Sequence, residues 1–280
     1  MCELFAMSSR YDADVSFSLE EFSRRGGLAG PHKDGWGIAY YVDGDVRLMK
    51  EAEPASDSAC VRFIREHPFS SSLVVSHIRK ATQGQTALRN CQPFVRELGG
   101  TMHVFAHNGH LERGRLHALL ARDLYRPVGE TDSEYAFCAL LERLRGLWLD
   151  ARGVPPLEER FAVVAEFARE IRALGPANFL YGDGDALFAH GHQRMHGDDG
   201  ARPPGLHLLS RHCPAGHQAL VAEGIAIGSA GDEQSVVLLA SVPLTQEAGW
   251  RPLGEGELVA ARRGEIVART HAAGPAASRA

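Results

Sequence analysis

From Leu73 onward, short apolar and β-branched runs alternate with turn-forming residues: Leu73 to Ile78, Met102 to Ala106, Phe179 to Tyr181, Leu206 to Leu209, Val236 to Val242 and Leu258 to Ala261. Runs of this length, bounded by Gly, Pro, Asn and Asp, predict strands. Gly182-Asp183-Gly184 lies between Phe179-Leu180-Tyr181 and Ala186-Leu187-Phe188, a pattern that predicts a hairpin of the Asp-Gly kind. Two segments change period. Leu157, Phe161, Val164, Ala165, Ala168 and Ile171 fall along one face of a helix that Pro155-Pro156 starts and Gly175-Pro176 stops. That stripe must pack against a sheet or another helix. A second helix is expected from about Asp132 to Arg145, because Thr131 with Glu134 three residues later has the pattern of a capping box.

The remaining glycines and prolines punctuate rather than cluster, and neither a linker of domain-separating length nor an internal repeat is visible. With 280 residues, the chain exceeds the common single-domain range but falls short of two comfortable domains. The expected organisation is one domain over residues 1–271 and a small, polar tail over 272–280.

Hydrophobic residues make up 44% and charged residues 23%, so disordered, collagen-like and coiled-coil chains are excluded. The net charge of -5 comes without a dense Lys/Arg block, which argues against nucleic acid or a membrane surface as partner. A small molecule is the expected partner. No apolar run approaches the roughly 20 residues of a membrane span, and the acidic opening Met1-Cys2-Glu3-Leu4-Phe5 is unlike a secretory signal. A cytoplasmic protein is expected. Cys2, Cys60, Cys91, Cys138 and Cys213 form an odd, scattered set without a CxxC pair, as expected of reduced thiols rather than a disulfide or zinc framework.

Cys2 directly follows Met1, and removal of Met1 would leave a cysteine carrying its own α-amine. With a reference pKa of roughly 7.7 to 8.0, that amine can take the thiol proton near neutral pH. Two further segments sit at the ends of predicted strands: Ser76-His77-Ile78-Arg79-Lys80-Ala81-Thr82-Gln83-Gly84 and Phe105-Ala106-His107-Asn108-Gly109-His110-Leu111. Read alone, Asn108-Gly109 is a strong turn signal, Arg79-Lys80 a basic pair at a strand end, and Asp132 a carboxylate favoured at a helix N-terminus by the dipole.

Taken together with Met1-Cys2-Glu3-Leu4-Phe5, Asp34-Gly35-Trp36-Gly37-Ile38-Ala39 and Thr131-Asp132-Ser133-Glu134, these segments resemble the class II glutamine amidotransferases. That family belongs to the N-terminal nucleophile hydrolases, and the likeness is to its small stand-alone type. It extends to Ala240-Ser241-Val242-Pro243-Leu244-Thr245 and Gly254-Glu255-Gly256-Glu257-Leu258.

The resemblance implies an α+β fold, a four-layer αββα sandwich of two stacked antiparallel sheets with the nucleophile at a strand end. It implies that Cys2 attacks the side-chain amide of glutamine, or of a γ-glutamyl amide, and forms a γ-glutamyl thioester. Asn108 Nδ2 and the Gly109 N–H would form the oxyanion hole. Arg79 would hold the α-carboxylate by the paired bonds a guanidinium can donate. Asp132 would receive the α-ammonium, and Thr82 would wall the pocket. Trp36, with Gly35 and Gly37, would line the strand beside the nucleophile. Asn90-Cys91-Gln92-Pro93-Phe94 departs from the stand-alone type's threonine-histidine-proline run, which bears on substrate scope.

No cofactor and no metal is expected. His190, His192 and His196 invite a metal reading, but no Cys or carboxylate is fixed by spacing, Asp198 and Asp199 fall in a Gly-rich loop, and exposed loop histidines are expected. Any ammonia acceptor would belong to a separate partner protein. Two alternatives stay open: hydrolysis of a larger γ-glutamyl amide in thiol-compound metabolism, and a non-catalytic glutamine-binding regulatory subunit.

Overall fold

A computed structural model of the chain describes residues 2–17, 33–67, 69–81, 83–120, 124–196, 200–214, 220–222, 225–228, 233–246 and 248–270. The expected C-terminal tail lies outside them. In chain order the elements that build the site are β1 (Glu3–Phe17), β2 (Trp36–Val42), β3 (Asp45–Glu51), α1 (Ala59–Glu66), β4 (Phe69–Ile78), β5 (Phe94–Leu98) and β6 (Thr101–Gly109). They continue with α2 (Arg113–His117), α3 (Asp132–Asp150), α4 (Leu157–Arg172), β7 (Ala177–Gly182), β8 (Leu187–Gly191), β9 (Arg194–Met195) and β10 (Ala201–Arg202). The last third contributes β11 (His207–Cys213), β12 (Leu220–Ala222), β13 (Ile225–Gly228), β14 (Gln234–Ala240), β15 (Arg251–Pro252), β16 (Glu257–Arg262) and β17 (Glu265–Arg269).

Two antiparallel sheets stack face to face. The nine-stranded sheet runs β15-β11-β14-β1-β4-β2-β3, with β13 and β12 joined to β1, and the six-stranded sheet runs β17-β16-β8-β7-β6-β5. Side-chain alternation along β1 shows how the layers form. Leu4 and Ala6 point into the inter-sheet core with Val75, Val104, Leu180 and Leu239, whereas Phe5 and Met7 point outward with Trp36, Val74 and Leu238 toward Val61 and Ile64 of α1. On the far side, Phe105, Phe179, Tyr181 and Phe188 carry α3 and α4 through Phe137, Leu140, Val164 and Phe167. Helix, sheet, sheet, helix is the four-layer αββα sandwich that the resemblance implies.

The six strands read from the sequence all exist, and the Asp183-Gly184 hairpin joins β7 to β8. Helix α3 continues one turn and more past Arg145, to Asp150. The capping box is only half made: Thr131 Oγ1 accepts the Glu134 N–H at 3.3 Å, but the Glu134 carboxylate turns away. It takes the N–H groups of Val128 (3.1 Å) and Gly129 (2.7 Å) and the Arg96 guanidinium instead. The buried face of α4 is also rotated from the expected stripe. Leu157, Phe161 and Ala165 are only partly buried, while Arg160 and Phe167 are fully enclosed. Arg160 can occupy that place because Asp183 and Asp185 meet its guanidinium at 2.6 and 2.7 Å, as a buried charge requires.

Candidate active site

Cys2 stands at the start of β1, the strand flanked by β14 and β4 in the nine-stranded sheet. The pairing of Glu3 with Ile78 brings the exit of β4 beside it, so the backbone N–H of Lys80 donates to Cys2 Sγ at 3.3 Å. The thiol is half-buried. Burial pushes its pKa up, opposed by the Lys80 N–H and the positive charge of Arg79, while Asp132 adds to the rise. A thiol so placed stays protonated near neutral pH and needs a base to become a nucleophile.

Asn108 and Gly109 end β6 rather than forming a turn, paired with Asn178 and Ala177 of β7. Gly109 is obligatory, since a Cβ there would lie 1.9 Å from the Pro176 carbonyl oxygen. Asn108 is completely buried. Its Nδ2 donates to the carbonyl of Cys2 at 2.5 Å and lies 3.4 Å from Ser241 Oγ, whereas its Oδ1 is buried with no partner among the described residues. The Asn108 carbonyl accepts from Asn178 Nδ2 at 2.9 Å, and the same nitrogen donates to the Gln193 carbonyl at 2.7 Å.

Arg79, 3% exposed, follows β4 immediately. Its guanidinium is wrapped by main-chain carbonyls, with Nη1 3.3 Å from Asp34 O and Nη2 2.9 and 3.3 Å from Gln83 O and Gly84 O. No carboxylate forms an ion pair with it among the described residues; Asp34, whose carbonyl it meets, accepts the Ala81 N–H with its Oδ2 at 2.8 Å. A buried cation without a buried anion is an incomplete arrangement, favourable once a carboxylate arrives. Asp132 opens α3 as expected and is buried. Its Oδ2 accepts the Leu111 N–H at 2.7 Å and its Oδ1 the Ser133 N–H at 3.0 Å, which joins the helix start to the chain leaving β6.

The structure thus converges Cys2 and Asn108 directly, with Arg79 one residue from the Lys80 contact and Asp132 beside the loop after Gly109. Thr82 lies outside the described residues. Trp36 opens β2 and pairs with Ile78 of β4, the strand that itself pairs with β1 through Glu3, so it lines the strand beside the nucleophile with β4 between it and the strand of Cys2. There Trp36 is fully buried and its Nε1 donates to Glu51 at 3.2 Å. Its glycines admit the neighbouring Cys91-Gln92 segment, since a Cβ on Gly35 would sit 2.6 Å from Cys91 Sγ and one on Gly37 2.3 Å from Gln92 O.

That segment holds a contribution the sequence did not disclose. The Gln92 side-chain amide pairs with the main chain of His107 on both sides, accepting its N–H at 2.6 Å and donating to its carbonyl at 3.2 Å. It thereby fixes the residue before Asn108. His107 is itself buried and held neutral by that burial, with Nδ1 2.9 Å from Ser133 Oγ. His190 and His192, expected in exposed loops, are buried instead. His190 lies in β8 and meets the Ala177 carbonyl at 2.8 Å, while His192 meets the Ala177 N–H at 3.3 Å. His196 is partly buried and bonds Arg202 O at 3.1 Å. Asp198 and Asp199 lie outside the described residues, and among the described residues no group of His, Cys, Asp and Glu could hold a metal ion.

A reactive residue at the head of a central strand, between two stacked antiparallel sheets, defines the N-terminal nucleophile class of amidohydrolase folds. Within that class, the profile of the family "Glutamine amidotransferases class-II" matches residues 1–280, and the chain belongs to this family of enzymes. It is 35% identical over 260 residues to the YafJ protein of Escherichia coli K12, provisionally named a glutamine amidotransferase, covering 92% of this chain and 96% of that one. A crystal structure of a predicted glutamine amidotransferase from Pseudomonas aeruginosa is 33% identical and superposes with a TM-score of 0.67, over 95% of this chain and 100% of that one. The glutamine phosphoribosylpyrophosphate amidotransferase of Bacillus subtilis shares the fold, at 14% identity and a TM-score of 0.58 over 97% of this chain and 49% of that one. No helix among the described residues is long and apolar enough to cross a membrane.

Proposed function

We propose that the chain hydrolyses the side-chain amide of glutamine, or of a γ-glutamyl amide, through a γ-glutamyl thioester on Cys2. The observation that carries this reading is the buried guanidinium of Arg79, which meets carbonyls but no carboxylate among the described residues, near the half-buried Cys2 thiol. Together they supply one group for a substrate α-carboxylate and one for its distal carbonyl carbon. Asp132 would receive the substrate's α-ammonium, and Thr82 would wall the same pocket.

In the proposed cycle, removal of Met1 frees the Cys2 α-amine. The amine takes the thiol proton, and Sγ attacks the amide carbon. The developing oxyanion is met by Asn108 Nδ2 and the Gly109 N–H, donors of a kind worth about 2.7 to 4 kcal/mol each. The protonated Cys2 α-amine then gives that proton to the leaving nitrogen, ammonia or an amine departs, and the Cys2 α-amine, neutral again, assists water in opening the thioester to release glutamate. Asn108 Oδ1, buried without a partner among the described residues, would accept from that amine. The thiol's raised pKa is the reason such a base is needed. Ammonia is released to water or to an acceptor on a separate protein.

Rapid acid quench during turnover of a panel of γ-glutamyl amides, followed by peptide mass spectrometry, tests the reading. A γ-glutamyl adduct on a mature N-terminal Cys2 is expected. Full activity from protein that quantitatively keeps Met1, or turnover by a Cys2→Ala variant, would refute it.

A further inference from the structure

The β1–β14 ladder departs from its regular pattern at the nucleophile. Phe5 faces Ala240, and the next opposed pair is Leu4 and Ser241. In a regular antiparallel pair the two residues exchange both main-chain hydrogen bonds. Here the Ser241 N–H does donate to Leu4 O at 3.0 Å, but the Leu4 N–H is taken by Ser241 Oγ at 2.9 Å rather than by the Ser241 carbonyl.

The carbonyl so released is bound elsewhere. Arg194 Nη1 donates to it at 2.7 Å, and His207 Nδ1 lies 3.3 Å away. Arg194 Nη2 in turn reaches Glu3 Oε1 at 3.2 Å, next to Cys2. Ser241 Oγ also lies 3.4 Å from Asn108 Nδ2, the nitrogen whose other bond goes to Cys2 O. One fully buried hydroxyl therefore touches both the nucleophile strand and the amide proposed to hold the oxyanion.

We infer that Ser241 is a positioning residue that sets the Asn108 amide against Cys2. Its hydroxyl fixes the plane of that amide while making only a long, weak bond to it, one that a substrate oxyanion can replace without disturbing Leu4. This inference rests on the proposed oxyanion role of Asn108. Because the contact acts on the donor geometry, its loss should appear in kcat and leave KM nearly unchanged.

The test is a double-mutant cycle on the full chain with glutamine or the best γ-glutamyl amide, using Ser241→Ala, Asn108→Ala and the pair, each with a thermal melt. Ser241→Ala is expected to lower kcat about 10-fold, the scale of one hydrogen bond, and to add little further loss in the Asn108→Ala background. An unchanged kcat, or losses that multiply fully in the double variant, would overturn the inference while leaving the thioester reading intact. A normal kcat in folded Asn108→Ala would instead remove the oxyanion role itself. If Ser241→Ala does not fold, Ser241→Cys, close in size but a weak acceptor, must give the same non-additive pattern or the inference falls.

Discussion

The two sheets meet at the site, and the described elements behind their outer faces differ. Behind the six-stranded sheet, α3 and α4 bury Phe137, Leu140, Trp148, Phe167 and Ile171 in one continuous cluster. Behind the nine-stranded sheet, among the described residues, the eight-residue α1 contributes Val61 and Ile64, joined by Ala55, Leu244 and Trp250. The proposed oxyanion side, with Asn108 and Asp132, thus stands on the layer backed by the two long helices, and the proposed nucleophile side, with Cys2 and Arg79, on or just beyond strands of the nine-stranded sheet. Burial of apolar area sets local stability, and the proposed oxyanion donors stand on the layer whose described cover is the two long helices. The contacts follow suit: side-chain amides of Gln92 and Asn178 brace the β6 end, whereas Arg79 is held by carbonyls of a loop.

The largest expected effect separates chemistry from architecture. Cys2→Ser should lose on the order of 10⁴-fold or more in kcat with an unchanged melting temperature, since a hydroxyl is a far poorer nucleophile in the same space. Calorimetry and steady-state kinetics on one preparation decide it, and a lowered melting temperature would assign Cys2 a structural role.

Arg160→Met probes the packed layer. It strands the buried Asp183 carboxylate that the arginine meets at 2.6 Å, and denaturant titration should show a loss of about 3 to 5 kcal/mol, with kcat unaffected while the protein stays folded. A loss below about 1 kcal/mol would show that the helix layer does not depend on this pair.

Acid should attack the same layer. Burial pushes His103 in β6 down to about 4 and His190 in β8 down to about 3 from 6.5, so both remain neutral in the folded state while the unfolded chain takes up protons. Stability conferred by the neutral rings is complete above pH 6.5 and is lost as pH falls from there toward 4 and 3, at up to about 1.4 kcal/mol per pH unit per histidine. Urea melts from pH 7 to 4 should show that slope, and His103→Gln should flatten it; an unaltered slope would exclude His103 as a source.

The smallest effect belongs to the short helix α1. Ile64→Ala, at a site 3% exposed in a short helix able to relax into the gap, should cost about 2 kcal/mol, less than Phe167→Ala at about 3 to 5 kcal/mol. Equal losses from the two would abolish the distinction between the layers.

What the sequence by itself determined was local and chemical. The strands after Leu73, the Asp183-Gly184 hairpin and the two long helices follow from period and turn residues. The ordered segments around Cys2, Arg79, Asn108-Gly109 and Asp132 carry the family. Strands β1 and β2 escaped a period reading because both their faces are buried, so Leu4-Phe5-Ala6-Met7 shows no alternation of apolar with polar. Tertiary structure alone decided the rest: that Asn108 and Gly109 pair with Asn178 and Ala177, that Arg160, His190 and His192 are interior, and that β4 lies between Trp36 and the strand of Cys2. It also decided that Gln92, Asn178 and Ser241 brace the site. The physical reason is common to all of these. A polar side chain's partner is chosen by which strands and loops meet across 15 to 133 positions of chain, and no local pattern encodes that meeting.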